Sequence, residues 1–236
     1  MSCRKEPVIS PNIPYSRECI RQGAFQRMLE GMDGKIRFLS EEELQASRRR
    51  WLASHPEGTD LWVFGYGSLI WHPAIHYVER RSARLDGFSR RFCLWTPVGR
   101  GSPECPGLVL GLMPGPVCEG IAYRIAGDQV DAESDILWRR EMLGDGYQPC
   151  WVKLDTARGV VHALTFVINP GHERFAGDLS LEAVAQAVAH AEGALGSNRD
   201  YLFNTLKHLH DEGLRDPALE ALAEQVEQLS SRDERP

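Results

Sequence analysis

Two stretches hold residue types able to do chemistry together: a glycine-rich turn at residues 63–69 and a single carboxylate at position 141. In the first, a strand-like run from Leu61 to Phe64 breaks into Gly65-Tyr66-Gly67-Ser68-Leu69. Glycine serves where the backbone turns with positive φ or comes very close to another group. Successive unblocked N–H groups in such a turn form a concavity for an anion or a carbonyl oxygen. By spacing alone the same segment also reads as an ordinary strand-end turn. It is no dinucleotide fingerprint, because Ile70 replaces the third glycine, and no Walker lysine follows. Ser68 lacks the G-x-S-x-G elbow, which makes it a turn donor or binding group rather than a nucleophile.

Glu141 falls in the last turn of a helix expected over 128–143, where Val130, Ile136, Leu137 and Met142 imply burial. A carboxylate beside an apolar stripe is costly to bury unless it is paired or functional. Two readings stay open: a proton-transfer group, or a salt-bridge partner of Arg139, Arg140 or a neighbouring strand. The exit Gly144-Asp145-Gly146 would let Tyr147 fold back toward Glu141.

Other chemistries find less support. Six cysteines form no CxxC pair and no zinc spacing, so free thiols are expected. His72 and His76 stand four apart, but Pro73 intervenes and no HExxH follows, so no metal site is expected. A net charge of −6 argues against nucleic acid and anionic membranes as partners. Residues 79–100 nevertheless hold six arginines against Glu79 and Asp86, either a solvated strand edge or a steering patch for a small anion. No run of 18 apolar residues suggests a membrane span. The N-terminal residues lack an apolar signal region, so the expected location is cytoplasmic.

The elements that must position these residues follow from pattern. Residues 1–58 read as a helical N-terminal extension, with one helix near 17–30, a break at 31–34, and a second helix to about Ala53. That second helix starts at Ser40, with Glu43 at capping-box spacing. Residues 59–230 read as the main domain, with strands at 61–64, 91–95, 107–112, 119–125, 150–154 and 160–168. Gly and Pro clusters at 97–107 and 114–116 read as turns between strands. Helices are expected around Leu181–Val188 and Leu202–Leu209, the latter opened by Ser197 and Asp200 as a capping box. Asp216-Pro217 opens a last helix. The expected fold is α+β, a curled or barrel-like mixed sheet of short strands with one inserted helix and C-terminal helices.

Six blocks in order resemble the ChaC family of glutathione-specific γ-glutamylcyclotransferases. They are V-F-G-Y-G-S-L-I-W at 63–71, D-G-F-S-R-R-F at 86–92, R-G-S-P-E-C-P-G at 100–107, E-G-I-A-Y-R-I at 119–125, R-R-E-M-L-G-D-G-Y at 139–147 and N-R-D-Y-L at 198–202. The resemblance spans about residues 61–229; Pro103 and Cys105 fall in a variable part, and residues 1–58 lie outside the compact family core. It implies a γ-glutamylcyclotransferase-like fold and a lyase needing no cofactor. In such an enzyme the α-amino group of glutathione attacks its own γ-glutamyl carbonyl, giving 5-oxoproline and Cys-Gly. Glu141 then becomes the general base and acid, and Val63, Phe64, Gly65, Tyr66, Gly67, Ser68 and Leu69 the substrate-holding loop. Tyr147 and Tyr201 match tyrosines near the pocket and are expected to position substrate. Arg90 and Arg91 match paired arginines, with Arg91 expected to contact a glutathione carboxylate. Alternatives are a cyclotransferase for other γ-glutamyl amines or dipeptides, and a glutathione-binding regulatory protein without catalysis.

Overall fold

Five strands with alternating or near-continuous burial close on themselves. In the computed structural model, which describes residues 16–32 and 36–233, these are β1 (Leu61–Gly65), β2 (Glu79–Thr96), β3 (Gly107–Ile125), β4 (Tyr147–Thr156) and β5 (Gly159–Ile168). Their order is β1-β3-β2-β4-β5, antiparallel throughout except that β5 runs parallel to β1 and closes the barrel. The expected α+β barrel-like sheet is therefore the observed one. Cys3 and the Asp33-Gly34 part of the expected 31–34 break lie outside the described residues.

The strands differ most from expectation in the β2–β3 hairpin. The run read as a strand only at 91–95 begins at Glu79, and the two strands read at 107–112 and 119–125 are one, continuous through Pro114 and Pro116. The register shifts between Asp86 and Phe88, opposite Pro114 to Val117, with Gly87 at φ 84°. A bulge already disrupts the ladder there, so prolines without an N–H donor cost little and the strand bends instead of turning. A second shift, between Phe92 and Leu94, adds to the curl that closes the sheet.

Local signals explain the helices. Ser40 and Glu43 form a reciprocal capping box at the start of α3 (Glu41–Leu52). The helix expected near 17–30 is two short ones, α1 (Arg17–Arg21) and α2 (Ala24–Glu30), because Gly23 adopts φ 68° between them. The inserted helix α4 (Val130–Glu141) follows a single 3-10 turn. Beyond the barrel come α5 (Leu181–His190), α6 (Asn198–Asp211) and α7 (Pro217–Asp233). Ser197 Oγ caps α6 by accepting the Asp200 N–H, and Asp216 Oδ1 accepts the Leu219 N–H at the start of α7.

Packing places α4 between the barrel and the N-terminal helices. Trp138 is fully buried and meets Phe166 of β5 edge-on, with ring centroids 5.6 Å apart. On its other side Arg17 of α1 donates to both oxygens of the buried Glu133, at 2.5 and 2.7 Å. Arg48 of α3 donates to Asp131 and Ser134, and Arg139 of α4 reaches back to Glu41. Ile20 and Leu44 join the same buried core as the barrel residues. Helices α1 and α3 are thus packed on α4.

Neither Gly65 nor Gly67 has positive φ, so the loop uses glycine for close approach alone. A Cβ at Gly65 would stand 2.8 Å from the Leu69 Cβ. Gly65→Ala is accordingly expected to destabilise the fold by about 1–3 kcal/mol through overpacking, read as a lower urea midpoint at unchanged slope. An unchanged midpoint would show that the turn relaxes freely.

Candidate active site

Where β1 ends, the chain leaves the barrel through Tyr66-Gly67-Ser68-Leu69, and four separate elements converge on that exit. A cavity of about 30 Å³ is lined by Gly67, Ser68 and Leu69 of the loop, Glu141 of α4, Tyr147 of β4 and Tyr201 of α6. Gly67 leaves the room: a Cβ there would lie 3.4 Å from the Tyr201 hydroxyl and 3.6 Å from Leu110. The loop is closed by Ile70 N–H donating to the Gly67 carbonyl and His72 N–H to the Ser68 carbonyl. Among the described hydrogen bonds, none uses the N–H of Gly67, Ser68 or Leu69. Three backbone donors at the cavity wall are therefore unspent.

Glu141 is the last residue of α4, and its side chain is 15 % exposed. Arg140 Nε stands 2.9 Å from its Oε1, yet off the hydrogen-bond direction, so this buried oxygen accepts no hydrogen bond. Burial pushes the Glu141 carboxyl above its ordinary value, and the Arg140 charge opposes this without cancelling it. Arg140 also donates to Ser68 Oγ at 2.8 Å and to the His72 carbonyl. One guanidinium thus ties the loop to the carboxylate. Of the partners that the sequence left open for Glu141, the structure selects Arg140; Arg139 is spent on Asp135 and Glu41. His72, buried and beside Arg140, is held down at about 4 and so is neutral near pH 7.

Two of the three tyrosines are fixed by hydrogen bonds before any ligand arrives. Tyr66 donates to the Phe166 carbonyl and Tyr147 to the Leu110 carbonyl, each at 2.7 Å. Tyr201 packs edge-on against Phe92, with centroids 5.7 Å apart. Burial raises the pKa of all three, which keeps the phenols neutral.

Not every expected site residue arrives. Val63 and Phe64 are fully buried in β1 and support the loop from the core. Arg91, expected to meet a carboxylate of the substrate, is half-exposed and pairs with Asp178 at 3.1 Å, away from both cavities. Strand alternation is the reason: Arg90 and Phe92 turn inward, so Arg91 turns out. Arg90 itself is buried, donating to the Tyr66 and Glu119 carbonyls and pairing with Asp216 at 2.7 Å. It buttresses the loop from behind. Among the described residues, no group of three His, Cys, Asp or Glu is arranged to hold a metal ion.

A larger cavity of about 220 Å³ adjoins the small one and shares Ser68, Glu141, Tyr147 and Tyr201 with it. Its further walls include Arg100, Arg174, and Phe25 and Phe38 from the N-terminal segment. Sequence reasoning missed these residues; the Arg100 block was visible, but nothing in the pattern joined Arg174 or Phe25 to it. Among the described residues, no helix is long and apolar enough to cross a membrane.

Known proteins share this arrangement of elements. Over 191 residues the chain is 37% identical to the glutathione-specific gamma-glutamylcyclotransferase of Escherichia coli (strain K12), covering 80% of this chain and 83% of that protein. It is 32% identical over 180 residues to the glutathione-specific gamma-glutamylcyclotransferase of Schizosaccharomyces pombe, covering 66% of this chain and 87% of that one. The crystal structure of the yeast gamma glutamyl cyclotransferase specific to glutathione superposes with a TM-score of 0.67 at 26% identity, covering 72% of this chain and 96% of the yeast chain. Residues 61–229, from the first residue of β1 into α7, match the ChaC-like protein family, and the chain belongs to it.

Proposed function

We propose that this chain is a γ-glutamylcyclotransferase acting on glutathione in the cytoplasm. The reading rests on one juxtaposition: Glu141, whose carboxyl burial pushes above its ordinary value, in the same small cavity as three unspent loop amides. The activity named for the Escherichia coli and Schizosaccharomyces pombe relatives supports it. The described cysteines are all unpaired, as suits a reducing compartment. Residues 59–230 form the catalytic unit in this reading, and the N-terminal segment supplies a wall.

The reaction needs no protein nucleophile. The γ-glutamyl arm folds so that its α-amino nitrogen meets its own γ-carbonyl carbon; holding that near-attack shape is the orientation contribution. Glu141 takes a proton from the attacking amine as the new C–N bond forms. It then gives that proton to the departing nitrogen as the old amide bond breaks, releasing 5-oxoproline and Cys-Gly. A carboxyl held above its ordinary value is better matched to this exchange near neutral pH than an exposed one. The N–H groups of Gly67, Ser68 and Leu69 receive the γ-carbonyl oxygen as charge develops on it, help typically worth about 10²- to 10³-fold. Tyr147 and Tyr201, with neutral hydroxyls, shape the pocket around the glutamyl chain. Ser68 Oγ is engaged by Arg140, in keeping with a holding role.

Purified protein is expected to release 5-oxoproline from glutathione, and Glu141→Gln to lower that rate by about 10²- to 10⁴-fold. Full activity in the Gln variant would remove Glu141 from the mechanism, and faster turnover of γ-glutamyl-alanine would move the substrate to simpler γ-glutamyl amines. In kcat/KM the acid limb is expected above the ordinary carboxyl value of 4.5, because the folded site raises Glu141. The same shift has a stability sign. Folded Glu141 binds its proton more tightly than the unfolded chain does, so its favourable contribution is complete below 4.5 and is lost as pH rises through the folded value. Glu141→Gln, which keeps the group neutral, should therefore denature at higher urea than wild type at pH 8, with the gap closing toward pH 4.

Thiols give an independent check. Burial pushes Cys93 up to about 12 and Cys118 up to about 11, far from thiolate character at neutral pH. Replacing all six cysteines by Ser or Ala should preserve turnover in folded protein; loss on a single replacement, with the far-UV spectrum intact, would implicate a thiol.

A further inference from the structure

Arg174 is a partly buried cation with no ion-pair partner among the described residues. It lies on the segment after β5, held against β2 by Trp95 N–H donating to the Arg174 carbonyl at 2.9 Å and Ala176 N–H to the Cys93 carbonyl at 2.8 Å. Its guanidinium donates to the Trp95 carbonyl at 3.2 Å and the Gly144 carbonyl at 2.9 Å. The remaining guanidinium nitrogen, Nε, is buried and has no partner, and Arg174 forms no ion pair with any described carboxylate. Burial accordingly lowers its pKa. A desolvated guanidinium without a counter-ion is costly, and such a group calls for a ligand that completes it.

The glycine exit of α4 is shaped for this side chain. A Cβ at Gly144 would come within 2.8 Å of Arg174 Nη2, and one at Gly146 within 3.4 Å. Arg174 lines the larger cavity but not the small one at Glu141 and the loop. Among the described residues, that larger cavity is lined by Arg100, Arg140 and Arg174 against the single carboxylate of Glu141. Arg140 is engaged with Glu141 and Ser68, while Arg100 donates to the Ser197 carbonyl with its guanidinium 5.9 Å from the Tyr201 ring centre.

We propose that Arg174 is a specificity-determining residue that binds the C-terminal carboxylate of the leaving dipeptide, the glycine end of glutathione. This rests on the reading of the preceding subsection, which seats the γ-glutamyl group in the small cavity and leaves the larger one for Cys-Gly. Phe25, Leu29 and Phe38 of the N-terminal segment then flank the departing arm. The site takes γ-glutamyl amides whose leaving amine ends in a carboxylate, and it discriminates against those that end in a neutral group. Charge-assisted recognition of one carboxylate by a guanidinium is the source of that selectivity.

The test compares glutathione with its C-terminal carboxamide, following 5-oxoproline. Wild type is expected to prefer the acid in kcat/KM by about 10- to 100-fold. Arg174→Gln should collapse that ratio toward unity by slowing the acid and sparing the amide, and Arg174→Lys should keep part of it. A purely structural Arg174 would slow both substrates equally and leave the ratio intact, which would overturn the proposal. A wild-type ratio near one would overturn it as well, and needs no variant to fold. Should wild type turn over neither compound, the functional reading fails by itself. Calorimetric binding then decides the proposal: tighter binding of the acid by about 10-fold or more upholds it, and equal binding rejects it.

Discussion

A carboxylate at the end of a buried helix keeps its proton too firmly to be useful unless some nearby charge offsets the loss of water. Arg140 supplies that offset here. Its Nε lies beside Glu141 while its other nitrogens hold Ser68 Oγ and the His72 carbonyl, so one side chain sets both the proton affinity of the acid and the position of the loop. Burial still outweighs the arginine, and Glu141 stays above the ordinary carboxyl range. The loop glycines, the fixed tyrosines and the placement of α4 all serve this contact.

The barrel contributes precision through its closure. A loop at the end of a free strand would share that strand's mobility, but β1 is paired on both edges, by β3 and by β5. Tyr66 is pinned to the Phe166 carbonyl of β5, and its own carbonyl accepts from Arg90 of β2, so the loop is braced across the barrel. Arg90 in turn pairs with Asp216, the residue before α7. Helices that never touch the cavity thereby help to fix its wall.

What could be read from residue order was whatever depends on neighbours in the chain. The caps at Ser40, Ser197 and Asp216, the extent of α4 to within two residues at each end, and the turn read at 97–107, whose last residue Gly107 already opens β3, are of that kind. Pro114 and Pro116 misled, because a bulge on the partner strand makes room for prolines that local rules assign to a turn. Gly23 split a helix whose apolar pattern ran on, since its positive φ cannot be seen in periodicity. The loop and Glu141 were legible through ordered family blocks. Arg91 was misplaced because a paired motif does not say which member of a strand faces inward. Arg174 and Phe25 were invisible, because only the closure of the fold brings positions so far apart to one cavity.

The packing of α1 and α3 on α4 has a consequence for how this family member can vary. Contacts from Arg17, Arg48 and Glu41 grip the outer face of the helix that ends in Glu141, and Phe25 and Phe38 complete the wall of the larger cavity. The segment that precedes the family match therefore belongs to the surroundings of the site: it walls the larger cavity that Glu141, a carboxylate from another part of the chain, also lines. Substitutions at Arg17, Glu41 or Arg48, which line neither cavity, can shift the helix that ends in Glu141 without altering any residue that touches substrate, which gives evolution a dial on the chemistry from outside the barrel.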